Sequence, residues 1–277
     1  MRITKQLIID FAKLCNISYC NQQQVTEGFT NKPHNKEDEV YYRCNNEPTL
    51  YSCDKDSQMY VCHYQNNLAV VFRGTESTRD VLTDLNAIRV DMDVSFLKEK
   101  EIPRIHWGFY NQFNELKPNL DNIIERYVKK MNDIHEPTPK IIFSGHSLGG
   151  ALATIASTYY GLKYPCTDIT CITFGSPRVG DSKFAYLFDN IVTSSYRFVN
   201  DNDPVPCIPT AWRFKHVKGC IWLYQDKVMN EITAWRGWRF FKNSFLSLFG
   251  YGYNAINDHS CSVYVNDLDY IPDNYFD

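Results

Sequence analysis

The stretch KIIFSGHSLGGALATIAS, residues 140–157, decides the fold. An apolar run breaks at Gly-His-Ser-Leu-Gly-Gly and resumes as an Ala-rich segment of helical composition. A buried strand gains nothing from a serine set between glycines, but a strand-to-helix turn that thrusts one side chain forward does. Gly145-His146-Ser147-Leu148-Gly149 fits G-x-S-x-G, with the glycines letting strand and helix approach closely. In such a turn Ser147 takes a strained backbone and projects its hydroxyl from the carboxyl edge of a sheet. The N–H of Leu148, at the helix N-terminus, then points at the carbonyl oxygen of a bound ester and supplies one oxyanion donor. A glycine-rich nucleotide-binding turn is the competing reading, but neither G-x-G-x-x-G nor a Walker lysine is present.

A nucleophilic serine on this turn needs an acid and a histidine, following it in the order Ser, Asp or Glu, His. Only His216 and His259 lie downstream. His259 opens an apolar-periodic segment in NDHSCSVYVNDL (257–268) and is the preferred base. His216, in FKHVKG, reads as a core histidine with satisfied hydrogen bonds, and His146 as a side chain packed under the turn. For the acid, RFVNDNDPVPCIP (197–209) offers Asp201 and Asp203 at a strand end. Pro204 restricts the residue before it to extended backbone, which favours Asp203, with Asp201 as the alternative. Ser147 would attack an acyl carbon, His259 would take and return its proton, and Asp203 would hold the imidazole tautomer.

Working outward, residues 3–20 read as an amphipathic helix and 21–58 as a polar loop with short strands. MYVCHYQ and LAVVFRG read as a hairpin turning at Asn66-Asn67. STRDVLTDLNAI is helical, with Ser77 or Thr78 as N-cap, and 109–133 is a long helix bent at Pro118. CITFGSP, a helix capped by Asp181, and strand SYRFVND follow. The β-α-β-α-β order predicts an α/β fold with a mostly parallel central sheet and helices on both faces, in a single domain over 1–277.

Composition narrows the function. A net charge of -3 gives no broad basic field, so nucleic acid is not an expected partner. The ten cysteines contain no C-x-x-C spacing, and no metal or cofactor is implied. The first twenty residues do not read as a signal peptide, because Lys5, Asp10 and Lys13 interrupt any apolar core. A reducing, cytoplasmic location is slightly favoured on that ground.

With these residues in place, the chain resembles the class 3 lipase family, the fungal-type triacylglycerol lipases of the α/β-hydrolase fold. The resemblance covers roughly residues 3–268. Beyond GHSLGG it rests on VFRGTESTRDVLTDLNA, IHWGFYNQF, TFGSPRVGD, RFVNDNDPVPCIP, FKHVKGCIWLY and DHSCSVYVNDL, in family order. It implies Ser147, Asp203 and His259 as the triad and Thr75 as the second oxyanion donor. It also implies a helical lid over residues 78–88, a structural role for His106 and Gly108, and hydrolysis of glycerolipid acyl esters through an acyl-enzyme. Departures from the family pattern are Val81 where a tryptophan is frequent, Pro204 where an aliphatic residue is usual, and a first segment that does not read as the usual secretory leader.

AWRGWRFFKNSFLSLFGYGY (234–253) interleaves aromatics with Arg236, Arg239 and Lys242. It reads either as an element contacting a membrane or lipid-droplet surface or as a helix and loop packed on the sheet. The expected function is a serine carboxylic-ester hydrolase acting on lipid esters. A phospholipase, a short-chain esterase, and a non-catalytic relative that binds lipid or protein are the alternatives.

Overall fold

The computed structural model of the chain describes residues 3–30, 40, 43–53, 57–75, 88–95, 102–134, 138–224, 227–229 and 257–276. In chain order the strands are β1 (Thr49–Ser52), β2 (Gln58–Tyr64), β3 (Asn67–Phe72), β4 (Arg89–Asp91), β5 (Arg104–His106), β6 (Lys140–His146), β7 (Asp168–Phe174), β8 (Ser194–Asn200), β9 (Cys220–Tyr224) and β10 (Lys227–Met229). The helices are α1 (Lys5–Ile17), α2 (Gln22–Thr30), α3 (Trp107–Asp133), α4 (Leu148–Lys163), α5 (Ser182–Ile191) and α6 (Cys261–Asp267).

Eight strands make one sheet in the order β1-β2-β3-β6-β7-β8-β9-β10, and β4 and β5 pair separately. The five strands from β3 to β9 are parallel, and antiparallel pairs close both edges. Parallel strands covered on both faces must be apolar on both faces, which is why KIIF and ITCITF read as near-continuous runs. The two cores divide along β3. Leu68, Val70 and Phe72 pack with α3, α4 and α5, whereas Ala69 and Val71 pack with α1 and α6. The expected α/β architecture with helices on both faces is therefore the observed one. No described helix is long and apolar enough to cross a membrane.

Two local expectations are corrected. Residues 22–30, read as loop, form α2. Asn21 and Gln24 exchange side-chain-to-backbone hydrogen bonds at 2.9 Å, a capping box written Asn-x-x-Gln. The β2–β3 turn lies one residue earlier than expected. Gln65 (φ 47°) and Asn66 (φ 66°) occupy its two centre positions, and Asn67 pairs with Tyr64 as the first residue of β3. The long helix expected over 109–133 is observed as α3, which runs through Pro118; Leu116, Leu120, Ile124 and Tyr127 bury one face and offset the backbone bond that proline cannot make. Asp181 caps α5 as expected, accepting from the N–H groups of Lys183 and Phe184. The helical segment expected over 77–88 lies outside the described residues except for Ile88, and the stretch 234–253 lies wholly outside them.

The β6–α4 junction is a place of very close backbone approach. A Cβ on Gly149 would lie 2.2 Å from the backbone oxygen of Phe72, and one on Gly145 would lie 2.2 Å from the backbone of Gly149. Backbone cannot yield as a flexible side chain can. Gly149→Ala and Gly145→Ala are each expected to destabilise the fold by about 3 kcal/mol or more. Thermal denaturation checks this, and a wild-type melting temperature in either variant contradicts it.

Candidate active site

Ser147 occupies the corner between β6 and α4 with φ 57° and ψ −126°. A non-glycine residue held there costs about 1–3 kcal/mol, so its surroundings must fix it. Its N–H donates to the carbonyl of Phe174 on β7 at 2.9 Å, and its carbonyl accepts from Gly150 at 2.9 Å. The corner projects Oγ at the carboxyl edge of the parallel strands, where the G-x-S-x-G turn requires it.

Two other segments reach the same point. His259, just before α6, places Nε2 2.8 Å from Ser147 Oγ. Its Nδ1 lies 2.9 Å from both Oδ1 and Oδ2 of Asp203, which follows β8. A carboxylate accepts, so Nδ1 carries the proton and Nε2 presents its lone pair to the serine hydroxyl. The three side chains are 1%, 2% and 0% exposed for Ser147, His259 and Asp203.

A buried carboxylate needs donors, and Asp203 has more than the imidazole. The N–H of Val205 donates to Oδ1 at 2.9 Å, and the hydroxyl of Tyr264 donates to Oδ2 at 2.6 Å. Tyr264 Oη in turn accepts from the N–H of Asn200 at 2.9 Å, which aims its proton at Asp203. Burial, reinforced by the Asp203 charge, pushes the Tyr264 hydroxyl well above the usual phenol range and keeps it a donor. Gly175 leaves room for this arrangement. Its φ is +59°, and a Cβ there would stand 2.7 Å from Asp203 Oδ2 and 3.0 Å from His259 Nδ1.

The remaining sequence candidates fall around this centre. Leu148 opens α4, so its N–H is one of the first-turn donors that a helix leaves unpaired. Thr75 follows Gly74, whose Cβ would lie 3.3 Å from Ser147 Cβ, so the FRGT segment ends beside the serine. The Asp201 carboxylate accepts from its neighbour Asn202, while His259 is bonded to Asp203. His216 donates to the Pro206 carbonyl at 2.7 Å. Burial, with Arg197 and Arg178 nearby, holds it well below the usual imidazole range. His146 is buried beneath the turn as expected, but it also reaches the backbone of His259 at 2.7 Å. Sequence reasoning missed Tyr264 and Tyr19. Each lies far along the chain from the residue it bonds, and neither carries a local motif.

Asp258 adds an electrostatic feature. Burial, then the charge of Asp201, pushes its carboxyl up to about 6, against the donor hydrogen bond it receives from Asn202. A carboxyl whose folded pKa is raised favours the folded state in its neutral form, and that contribution fades as pH rises from about 4 through about 6. Asp258→Asn is therefore expected to raise stability at pH 8, by about 1 kcal/mol after solvent screening of a half-buried group. The gain should vanish near pH 4. Melting temperatures at the two pH values check the sign.

The sequence profile described as Lipase (class 3) matches residues 69–212, more than half of the chain. A protein named secreted mono- and diacylglycerol lipase 1, from Fusarium solani, is 30% identical over 171 residues, covering 61% of this chain and 48% of that protein. A lipase from Rhizopus niveus is 30% identical over 148 residues, covering 52% of this chain and 35% of that protein. The chain thus matches about a third to a half of the length of these curated relatives. Among solved structures, a lipase from Rhizopus microsporus var. chinensis superposes with a TM-score of 0.65 at 24% identity, covering 92% of this chain and 85% of that one. The native Rhizomucor miehei lipase propeptide complex gives a TM-score of 0.66 at 22% identity, covering 92% and 81%. Both likenesses bear on the fold, which is that of the α/β-hydrolases. Profile, relatives and architecture agree: the chain belongs to the class 3 lipase family.

Proposed function

We propose that the protein is a serine carboxylic-ester hydrolase that cleaves acyl esters of glycerolipids through an acyl-enzyme. One observation carries the reading. A buried hydrogen-bonded chain runs from Ser147 Oγ through His259 to Asp203, on a strained corner at the N-terminus of α4.

The chemistry follows from the donors and acceptors. Ser147 Oγ attacks the acyl carbon while His259 Nε2 takes its proton. Asp203 holds the imidazole in that tautomer and stabilises the imidazolium. Negative charge growing on the acyl oxygen would meet the N–H of Leu148, the positive end of the α4 dipole, and the N–H and hydroxyl of Thr75. His259 then returns the proton to the leaving alcohol. Water, activated by the same imidazole, releases the fatty acid.

The near-complete burial of Ser147 and His259 supports a form in which substrate enters only after a cover moves. Residues 78–88 are the segment we assign as that lid. The proposed partner surface is a lipid aggregate met by the aromatic and basic stretch 234–253.

The decisive assay is hydrolysis of p-nitrophenyl esters of increasing chain length by wild type, Ser147→Ala and Asp203→Asn. Wild type is expected to prefer longer acyl chains. Ser147→Ala should be inactive, and Asp203→Asn should lose about 10³–10⁴-fold in kcat. An optimum at the shortest chains would favour a small-ester esterase, and a folded wild type that cleaves no ester would overturn the enzyme reading. Charge reversal at Arg236, Arg239 and Lys242 should weaken binding to anionic vesicles and spare hydrolysis of a soluble ester. Unchanged vesicle binding would remove the proposed surface contact.

A further inference from the structure

His259 is gripped from two sides. Asp203 fixes its ring, and a second histidine fixes its backbone. His146 Nε2 lies 2.7 Å from the carbonyl oxygen of His259. A carbonyl only accepts, so Nε2 carries the proton, and Nδ1 is left as the acceptor for the Tyr19 hydroxyl at 2.8 Å. The two imidazoles lie 4.6 Å apart between ring centres, tilted by 34°. Tyr19, in the segment after α1, passes under the strand end that carries Gly74. A Cβ on Gly74 would stand 2.3 Å from Tyr19 Oη and 2.6 Å from the carbonyl oxygen of His146. The Arg73 guanidinium lies 5.8 Å from the centre of the Tyr19 ring. One connected path therefore joins the 73–75 strand end, Tyr19, the residue preceding the nucleophile, and the backbone of the base.

We propose that His146 and Tyr19 are positioning residues of the ester-hydrolysis reaction: the neutral Nε2–H tautomer of His146, set by Tyr19, holds the main chain of His259 so that its imidazole stays on Ser147. The inference rests on reading Ser147, His259 and Asp203 as the triad. The other bonds from a distant segment onto residues 257–259 are weaker for a backbone anchor. Asn200 Nδ2 and the Asn202 N–H reach Asp258 at 3.3 Å each. The tautomer matters too. A protonated His146 would place a positive charge one ring-stack away from an imidazole that must itself become positive during catalysis. Burial and the neighbouring His259 hold His146 well below the usual imidazole range, in accord with a neutral role.

The test compares His146→Leu, which removes the donor, with His146→Gln, whose amide can still reach the His259 carbonyl and accept from Tyr19. Displacing a catalytic group by about 1 Å costs up to about 10²-fold in rate. His146→Leu is expected to lose about 10- to 100-fold in kcat with KM unchanged, and His146→Gln to recover most of that loss. Two readouts report the site itself: the rate at which a fluorophosphonate labels Ser147, and the downfield proton resonance of His259 Nδ1–H. Labelling should slow in step with kcat, and the resonance should broaden or shift in His146→Leu. Wild-type kcat in His146→Leu overturns the proposal, as does an equal loss in both variants that tracks only their melting temperatures. Should His146→Leu not fold, Tyr19→Phe, which deletes one hydroxyl, carries the test. An expected loss of about 3- to 10-fold in kcat supports the proposal, and no loss with an unaltered resonance overturns it. Failure of the triad reading is distinguishable, because the wild type itself would then go unlabelled.

Discussion

The approach of the first turn of α4 to the end of β3 governs the rest of the molecule. Gly145 and Gly149 let two backbones meet at a separation that no side chain would permit. That contact places Ser147 on its strained corner, and it draws the Arg73-Gly74-Thr75 segment alongside the serine. Strain of about 1–3 kcal/mol at one residue is tolerable because the corner is bonded to β7 and to its own helix, and because two apolar cores press on the sheet from opposite sides. Binding energy spent on holding the hydroxyl in place would otherwise have to come from substrate.

The second controlling term is the buried charge of Asp203. Its carboxylate has left water, so the Val205 N–H, the Tyr264 hydroxyl and the His259 ring must replace the solvent around it. Each donor comes from a differently fixed element: a proline-stiffened turn, a helix that buries Cys261 and Tyr264, and the short segment before that helix. Tyr264 also ties its helix to the sheet, because its hydroxyl receives the N–H of Asn200 at the end of β8. Geometry at the serine thus depends on a polar network that lies wholly beneath it.

Much of this was legible in the sequence, for particular reasons. The parallel strands announce themselves because both faces are buried, so their apolar residues run together rather than alternate. The corner is legible because glycine spacing reports a close approach, and Asp203 is singled out by the proline that follows it. Helix α2 escaped because its composition is polar, although Asn21 and Gln24 spell a capping box in a less familiar pair of residues. The hairpin was displaced by one residue because Gln65, not usually a turn residue, takes a positive φ. Tyr19 and Tyr264 were invisible for a different reason. Tyr19 lies 127 residues from His146, and Tyr264 lies 61 from Asp203, so only the sheet order brings each to its partner.

That sheet order also dictates when the site can exist during synthesis. The nucleophile corner is made from β3, β6 and β7, all finished by residue 174. Asp203 follows the end of β8, and His259 lies in the segment before α6. A nascent chain released as far as residue 200 contains Ser147 but neither Asp203 nor His259. The proposed ester hydrolysis therefore requires residues 257–264, the last of the three segments to be synthesised.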